Sequence, residues 1–233
     1  NAIWGSGYRI KIKETGTANE DFSDNPFSIA GISITSPNGN ELLPLKTSKL
    51  IQWNSLGIKE SLELTLWKDG NFIGIIATKL PYDTTSYNWI VGNLIKRDGF
   101  HWDSYTTTIG TGYKIKIQEI GKTNIDFSDN PFNITGIKIL SPSFWGWWKL
   151  LSNRVITWKT VGDPGPITIT LFKSGVLIGD IAQNLPAGTT SFNWTVGKYI
   201  GGTVKAALWS SYSIKVKGAN TNYSDTSSSF AII

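Results

Sequence analysis

Apolar and polar residues alternate with a period of two in segment after segment of this chain. Tyr113, Ile115 and Ile117 alternate with Lys114 and Lys116, and Leu62, Leu64 and Leu66 alternate with Glu63 and Thr65. Alternation puts successive side chains on opposite faces of an extended chain, so each segment predicts a half-buried strand. Asp69-Gly70, between LTLW and NFIG, supplies residues tolerant of positive φ and predicts a tight hairpin. Pro37, Pro81 and Pro131 fall at segment edges, where a missing N–H breaks no ladder. No stretch carries a sustained helical period with caps. Strands are predicted at 32–36, 49–54, 61–67, 71–77, 85–91, 112–119 and 131–136.

The pattern repeats. Residues 7–29, GYRIKIKETGTANEDFSDNPFSI, match residues 112–134, GYKIKIQEIGKTNIDFSDNPFNI, at 16 of 23 positions. A looser third copy, SYSIKVKGANTNYSDTSSSFAII, closes the chain at 211–233. Between them GISITSP (31–37) recurs as GIKILSP (136–142), LTLWKDGNFIG (64–74) as ITLFKSGVLIG (169–179), and LPYDTTSYNWIVG (80–92) as LPAGTTSFNWTVG (185–197). The organisation expected is therefore two whole repeats, 31–135 and 136–233, preceded at 1–30 by the C-terminal hairpin of an upstream repeat. About seven short antiparallel strands in about 100 residues predict an all-β fold of tandem immunoglobulin-like sandwiches. Trp53 and Trp158, and Trp89 and Trp194, recur in register within alternating strands and read as core. Tyr8, Tyr113 and Tyr212 open the sixth strand, where such sandwiches often hold a tyrosine bonded to backbone.

Composition narrows the chemistry. The 233 residues include no Cys, which excludes disulfides, thiolate metal sites and a thiol nucleophile, and one histidine, His101, which excludes a multi-His site. His101 has Asp98 and Asp103 nearby but lies in an insertion with no counterpart in the second repeat, so it reads as a solvated loop residue and no enzyme is expected. Net charge is +5, from 22 basic and 17 acidic residues, with Arg only at 9, 97 and 154. The lysines alternate along strands as on a solvated sheet face, so no nucleic-acid partner is expected. No apolar run reaches the roughly 20 residues that cross a bilayer, so no membrane insertion is expected of these residues. The chain begins at Asn1 with no signal-peptide pattern and reads as a processed chain or a fragment.

The order P-x-G, I-x-W, L-x-L-x-K-x-G, L-P, T-S-Y-x-W-x-V, G-Y-x-I-x-I, S-D-x-P-F-x-I resembles the immunoglobulin-like module of fungal cell-wall glucan-assembly proteins, the Ser/Thr-rich GPI-anchored family, which also occurs in tandem in prokaryotic surface proteins. The resemblance covers both repeats and the N-terminal tail. It implies secretion, a β-sandwich and a role at a cell wall or surface, and it brings no catalytic residues. SFWGWWK (143–149) replaces NGNELLP (38–44), and no Ser/Thr-rich stalk or anchor signal is present, so GPI attachment is not implied here.

Other residues are candidates for binding. In DFSDNPF, Asp126, Asp129 and Asn130 (Asp21, Asp24 and Asn25 in the first copy) gather hard oxygen donors that suit calcium, whereas the same residues also make plain turns. No other cofactor is expected. Phe144, Trp145, Trp147 and Trp148, with Phe100, Trp102, Tyr105 and Trp209, do not follow the repeat as core positions should. They read as a protein interface, local core, or platforms for stacking on cell-wall glycan. Asn133, Asn193 and Asn222 head N-glycosylation triplets, Asn193 being doubtful beside a core-type Trp.

Residues 1–30 hold two strands of a sandwich whose other strands are missing. Two strands alone expose their edges and an apolar face, so Tyr8, Ile10, Ile12, Phe22 and Phe27 need a cover. The cover is either an upstream domain or a second copy engaged by strand addition, which builds a head-to-tail homopolymer. The expectation is a non-enzymatic extracellular protein of the cell surface, assembled as a filament or array. The alternative is a carbohydrate-binding or wall-assembly module using exposed tryptophans.

Overall fold

The computed structural model describes residues 4–98, 101–143, 146–204, 211–220 and 223–233, with side chains for all of these except 97, 98, 101 and 102. Every regular element among them is a strand. The first four strands, β1 (Gly5–Tyr8), β2 (Lys11–Lys13), β3 (Glu20–Phe22) and β4 (Phe27–Ile29), form the N-terminal hairpin. They are followed by β5 (Gly31–Ser36), β6 (Leu42–Pro44), β7 (Ser48–Leu56), β8 (Leu62–Lys68), β9 (Asn71–Leu80), β10 (Ser86–Ile90), β11 (Asn93–Asp98), β12 (His101–Thr106), β13 (Gly110–Glu119) and β14 (Ile125–Phe127). The remainder are β15 (Phe132–Ser141), β16 (Trp147–Trp148), β17 (Asn153–Val161), β18 (Ile167–Lys173), β19 (Val176–Leu185), β20 (Ser191–Thr195), β21 (Lys198–Tyr199), β22 (Gly202–Thr203), β23 (Tyr212–Gly218), β24 (Ser224–Thr226) and β25 (Ala231–Ile232). No helix among the described residues is long and apolar enough to cross a membrane.

The chain divides into two compact units, Asn1–Glu41 with Ser48–Thr107 and Gly112–Phe132, and Leu42–Thr47 with Thr108–Thr111 and Asn133–Ile233. Leu42–Thr47 falls in the second unit because β6 pairs in parallel with the start of β15, Asn133 opposite Leu42 and Thr135 opposite Pro44.

In the first unit a sheet of order β10-β7-β5 faces one of order β12-β11-β9-β8-β13, with β14 on β13. Tyr113, Ile115 and Ile117 of β13 alternate inward, and Leu62, Leu64 and Leu66 of β8 meet them in the core. Trp53 and Trp89 complete this core from the other sheet, each essentially fully buried. Full burial of such rings contributes roughly 1.5–3 kcal/mol each or more, which matters in a sandwich that has no disulfide.

The second unit repeats the plan. The 136–141 half of β15 lies in a sheet with β17 and β20, and a second sheet has the order β19-β18-β23-β24, with β16 beside β25. Trp158 and Trp194 take the places of Trp53 and Trp89. Each later-strand tryptophan also donates from its indole N–H, Trp89 to Asn93 O at 2.8 Å and Trp194 to Lys198 O at 2.7 Å, which ties the strand to the chain just beyond it. Two antiparallel sheets of this order, twice over, make the protein an all-β chain of immunoglobulin-like sandwiches.

Candidate interaction surface

The N-terminal hairpin is formed in the same way as the hairpin that closes each sandwich. Its registers set Lys11 opposite Phe22, Ile12 opposite Asp21 and Tyr8 opposite Phe27. In the first sandwich the same register sets Lys116 opposite Phe127 and Ile117 opposite Asp126. The Tyr–Phe ring contact recurs in all three hairpins: Tyr8–Phe27 at 6.1 Å, Tyr113–Phe132 at 6.2 Å and Tyr212–Phe230 at 6.2 Å between centroids. Lys11 and Glu20 pair across the hairpin at 2.7 Å. Trp4 lies against Gly31, at a point where any Cβ would collide with the indole.

What differs is cover. In the first sandwich Ile115, Ile117 and Phe132 are completely buried, whereas their counterparts Ile10, Ile12 and Phe27 are 58%, 72% and 41% exposed. Phe22 is exposed as well. In both sandwiches the edge of this strand is paired along its length, β13 with β8 and β23 with β18. Among the described residues, β1 pairs only with β4 and β2 only with β3. Strand β8 sets Leu64 and Leu66 beside Ile117 and Ile115 on the same inward face. The hairpin thus presents an apolar face and an open edge together, the two features that define a strand-addition surface.

The tryptophan cluster of the second unit is only partly exposed. Trp147 is 65% exposed, but Trp148 is 8% exposed and packs on Trp194 and Phe230, with centroids 5.8 and 5.0 Å apart. Of the three readings, local core therefore holds for Trp148. Trp147 and Trp148 also follow the repeat, contrary to expectation, because they hold the places of Leu42 and Leu43, respectively exposed and buried in the short parallel strand β6. A two-residue strand shows no periodicity, so its inward and outward positions were illegible in sequence. Tyr105 likewise has a structural place, donating from its hydroxyl to Ile73 O and lying over Gly74. Phe100, Phe144, Trp145 and Trp209 lie outside the described residues, as does the side chain of Trp102.

The oxygen-rich segment is committed to the fold's own donors. Asp126 Oδ2 accepts from Ile34 N–H at 2.7 Å, and Asp129 Oδ2 accepts from Asn38 Nδ2 at 2.6 Å, while Asp129 N–H donates to Asn38 Oδ1 at 2.7 Å. Asn130 N–H donates to Asn38 O at 3.2 Å. The segment thereby pins the first strand of the sandwich to its last hairpin. Among the described residues no group of three or more His, Cys, Asp or Glu side chains is placed to hold a metal ion.

Among the described residues, Glu119 is the one buried carboxylate with several donors. Its Oε1 accepts from Lys59 N–H and Glu60 N–H, both at 2.9 Å, and its Oε2 from Asn124 Nδ2 at 2.6 Å. Burial pushes its pKa up, but the hydrogen bonds from Asn124, Lys59 and Glu60, helped by the Lys122 charge, outweigh that and hold it below the ordinary carboxylate value.

Each unit also carries a shallow cleft beside its tryptophan-bearing strand. That of the first unit, about 480 Å³, is lined by Tyr87, Asn88, Ile90, Ile95 and Tyr105, and that of the second, about 270 Å³, by Phe192, Asn193, Tyr199 and Ile200. Asn193 is exposed on this side, because alternation turns it outward as Trp194 turns inward; the neighbouring Trp is no obstacle to it. Asn133 is half-buried in β15, and Thr135 of its triplet is completely buried. Asn222 lies outside the described residues.

No family model matches the chain, and no curated protein does. The solved structures similar to it include the fibronectin(III)-like modules of Clostridium thermocellum CbhA, 13% identical over 87% of this chain and 93% of that one, with a TM-score of 0.26. Titin domains Z1Z2 in complex with telethonin are 13% identical over 88% of this chain and 97% of that one, with a TM-score of 0.26. Immunoglobulin domains 1–4 of Sidekick-1 are 7% identical over 87% of this chain and 47% of that one, with a TM-score of 0.30. At such scores none of them carries an argument about function, and the fold assignment rests on the strand order above.

Proposed function

We propose that this protein is a non-enzymatic structural component of a cell surface or wall, a stack of immunoglobulin-like sandwiches in which residues 5–29 form the joint to a further sandwich. One observation carries the reading: a hairpin identical in register to the closing hairpin of the first sandwich stands with its apolar face and its edge uncovered. The secretion and wall role follow the resemblance to glucan-assembly modules. Assembly into a filament or array is the form of this reading in which the further sandwich belongs to another copy. In that form the hairpin has to displace that copy's own 110–135 or 211–232 hairpin, which is already paired.

Imaging the native material by electron microscopy, with size-exclusion chromatography beside it, tests the proposal. Extended strings of repeats support it, and strings that lengthen with concentration support the filament form. Compact particles that hydrolyse a polysaccharide, with turnover abolished by one carboxylate substitution, overturn it. Glycan stacking is a second reading that Trp147 favours by its exposure. Glycan-array binding lost in Trp147→Ala supports that reading, and array signal unchanged by the substitution removes it.

A further inference from the structure

The polar groups of the hairpin specify the kind of sandwich half that fits it. Glu14 holds the place of Glu119, and Asn19 that of Asn124. Glu14 Oε2 takes its local partners, Thr17 Oγ1 and Asn19 Nδ2, each at 2.9 Å. Its Oε1, the oxygen that in Glu119 receives Lys59 N–H and Glu60 N–H, has no partner among the described residues. Asp21 repeats this on the inward face. Asp126 receives Ile34 N–H at 2.7 Å and Asp225 receives Ile139 N–H at 2.8 Å, whereas the carboxylate of Asp21 has no partner among the described residues. On the outward face Phe22 holds the place of Phe127, which meets the edge of Trp67 from β8 at 5.6 Å. Three unfilled positions on three parts of the hairpin therefore ask for a loop with two consecutive N–H groups, a first strand with one, and an outward aromatic on the pairing strand.

The two sandwiches answer this differently. Residues 31–107 offer all three through Lys59 and Glu60, Ile34 and Trp67. In the second unit Gly218 stands opposite Ile167 where Glu119 stands opposite Leu62. The loop ahead of β18 reads Pro164-Gly165-Pro166, and a proline has no N–H to give. A Cβ at 218 would strike Pro164 O and come within 2.8 Å of Pro164 Cβ. The other two positions are met in both units, since Ile139 N–H and the aromatic Phe172 stand where Ile34 N–H and Trp67 do, so the loop alone sets the two halves apart. A glutamate brought to that loop would be desolvated without its donors, which costs more than an unmade neutral bond.

We infer that residues 5–29 complete a sandwich half of the first-unit kind and discriminate against the second-unit kind. The half belongs to a preceding repeat on the same polypeptide, because in a second copy both halves already hold closing hairpins, β13 with β14 and β23 with β24. This rests on the structural reading above and adds the identity of the neighbour.

The test is a pair of chains, one with residues 31–107 repeated ahead of Ile3 and one with residues 136–206 placed there instead. Amide hydrogen exchange at Arg9, Lys11 and Lys13 reads the cover, because the alternate N–H groups of Ile10 and Glu14 already bond within the hairpin, to Ser23 Oγ and Asn19 O. The first chain is expected to slow exchange at these amides on the order of a hundred-fold relative to the parent, and the second to slow it far less. Glu14→Ala in the first chain is expected to lose about ten-fold of that protection, more than the same substitution loses in the parent, where only the bonds to Thr17 and Asn19 are removed. Equal protection in both chains, or a Glu14→Ala change without effect in the first, overturns the discrimination while leaving the stacked-repeat reading intact. Protection in neither chain overturns both.

Discussion

Trp148 lies against Trp194 with ring centroids 5.8 Å apart, while Trp147, its neighbour in a two-residue strand, is turned to solvent. The pair closes the second sandwich at its parallel edge, where β16 runs beside β25. Trp148→Ala is expected to cost about 3–5 kcal/mol, the range for emptying an aromatic core site. Trp147→Ala is expected to cost clearly less than Trp148→Ala, because most of its ring already faces solvent. Denaturant unfolding of the two variants, compared at constant m-value, checks the assignment of one ring to the core and the other to the surface.

Glu119 predicts how the first sandwich responds to acid. Its folded pKa is held below the ordinary carboxylate value because the donors Asn124, Lys59 and Glu60 outweigh the burial that opposes them. A carboxyl lowered by folding contributes stability that is fully present above its unfolded pKa of about 4.3 and is lost as pH falls through the lower folded value. Glu119→Ala also leaves Lys59 N–H and Glu60 N–H without their acceptor, so about 1.5–3 kcal/mol is expected to be lost at pH 7. The gap between wild type and variant narrows below pH 4, on the order of the unfolded pKa. Unfolding curves taken from neutral pH down into that range show the narrowing, and a gap independent of pH contradicts the role given to the charge.

How much of this was legible beforehand varies with the range of the interaction. The alternation of Tyr113, Ile115 and Ile117 is a local pattern, and all three are buried. The recurring tryptophans 53, 89, 158 and 194 read as core for the same reason and are core. The strands too short to show a period, Leu42–Pro44 and Trp147–Trp148, were not predicted, nor was the hairpin of β11 and β12, whose sequence looked like an insertion. The partners of the carboxylates were out of reach altogether. Asp126 finds Ile34 N–H across 92 residues and Glu119 finds Lys59 N–H across 60, distances over which sequence carries composition but no geometry. Asp126, Asp129 and Asn130 therefore read from sequence first as a turn and secondly as calcium ligands, while the partners they take are visible only in the fold.

Thr135 is completely buried in β15, and its Oγ1 has no hydrogen-bond partner among the described residues. A buried hydroxyl without a partner loses its hydration for nothing in return. Thr135→Val keeps the branched shape suited to a strand and removes the oxygen, so it is expected to leave stability unchanged or raise it by about 1 kcal/mol. Thr135→Ala, which empties the methyl site as well, is expected to be less stable than Thr135→Val. Thermal unfolding of the pair separates the two effects, and a loss of stability in the valine variant would show that the hydroxyl has a partner.

Asn193 and Asn133 head triplets of the same form, and the fold separates them. Asn193 projects outward from β20 beside an open cleft, opposite Val155 of β17. A glycan there extends into solvent without disturbing Trp194, which faces the core. Asn133 is half-buried and sits opposite Leu42 in the parallel ladder, next to the buried Ile134 and two residues from the buried Thr135. A glycan on Asn133 would have to displace β6 from that ladder, so a folded chain that carries one is destabilised by the loss of Leu43 from its buried site. Expression in a host that attaches N-glycans is therefore expected to yield folded protein modified at Asn193 and unmodified at Asn133. Intact-mass measurement after Asn193→Gln reads the first as a mass loss of one glycan. Peptide mapping of the folded fraction reads the second, and recovery of Asn133 in glycosylated form from protein with unaltered unfolding would mean that β6 is dispensable to the sandwich.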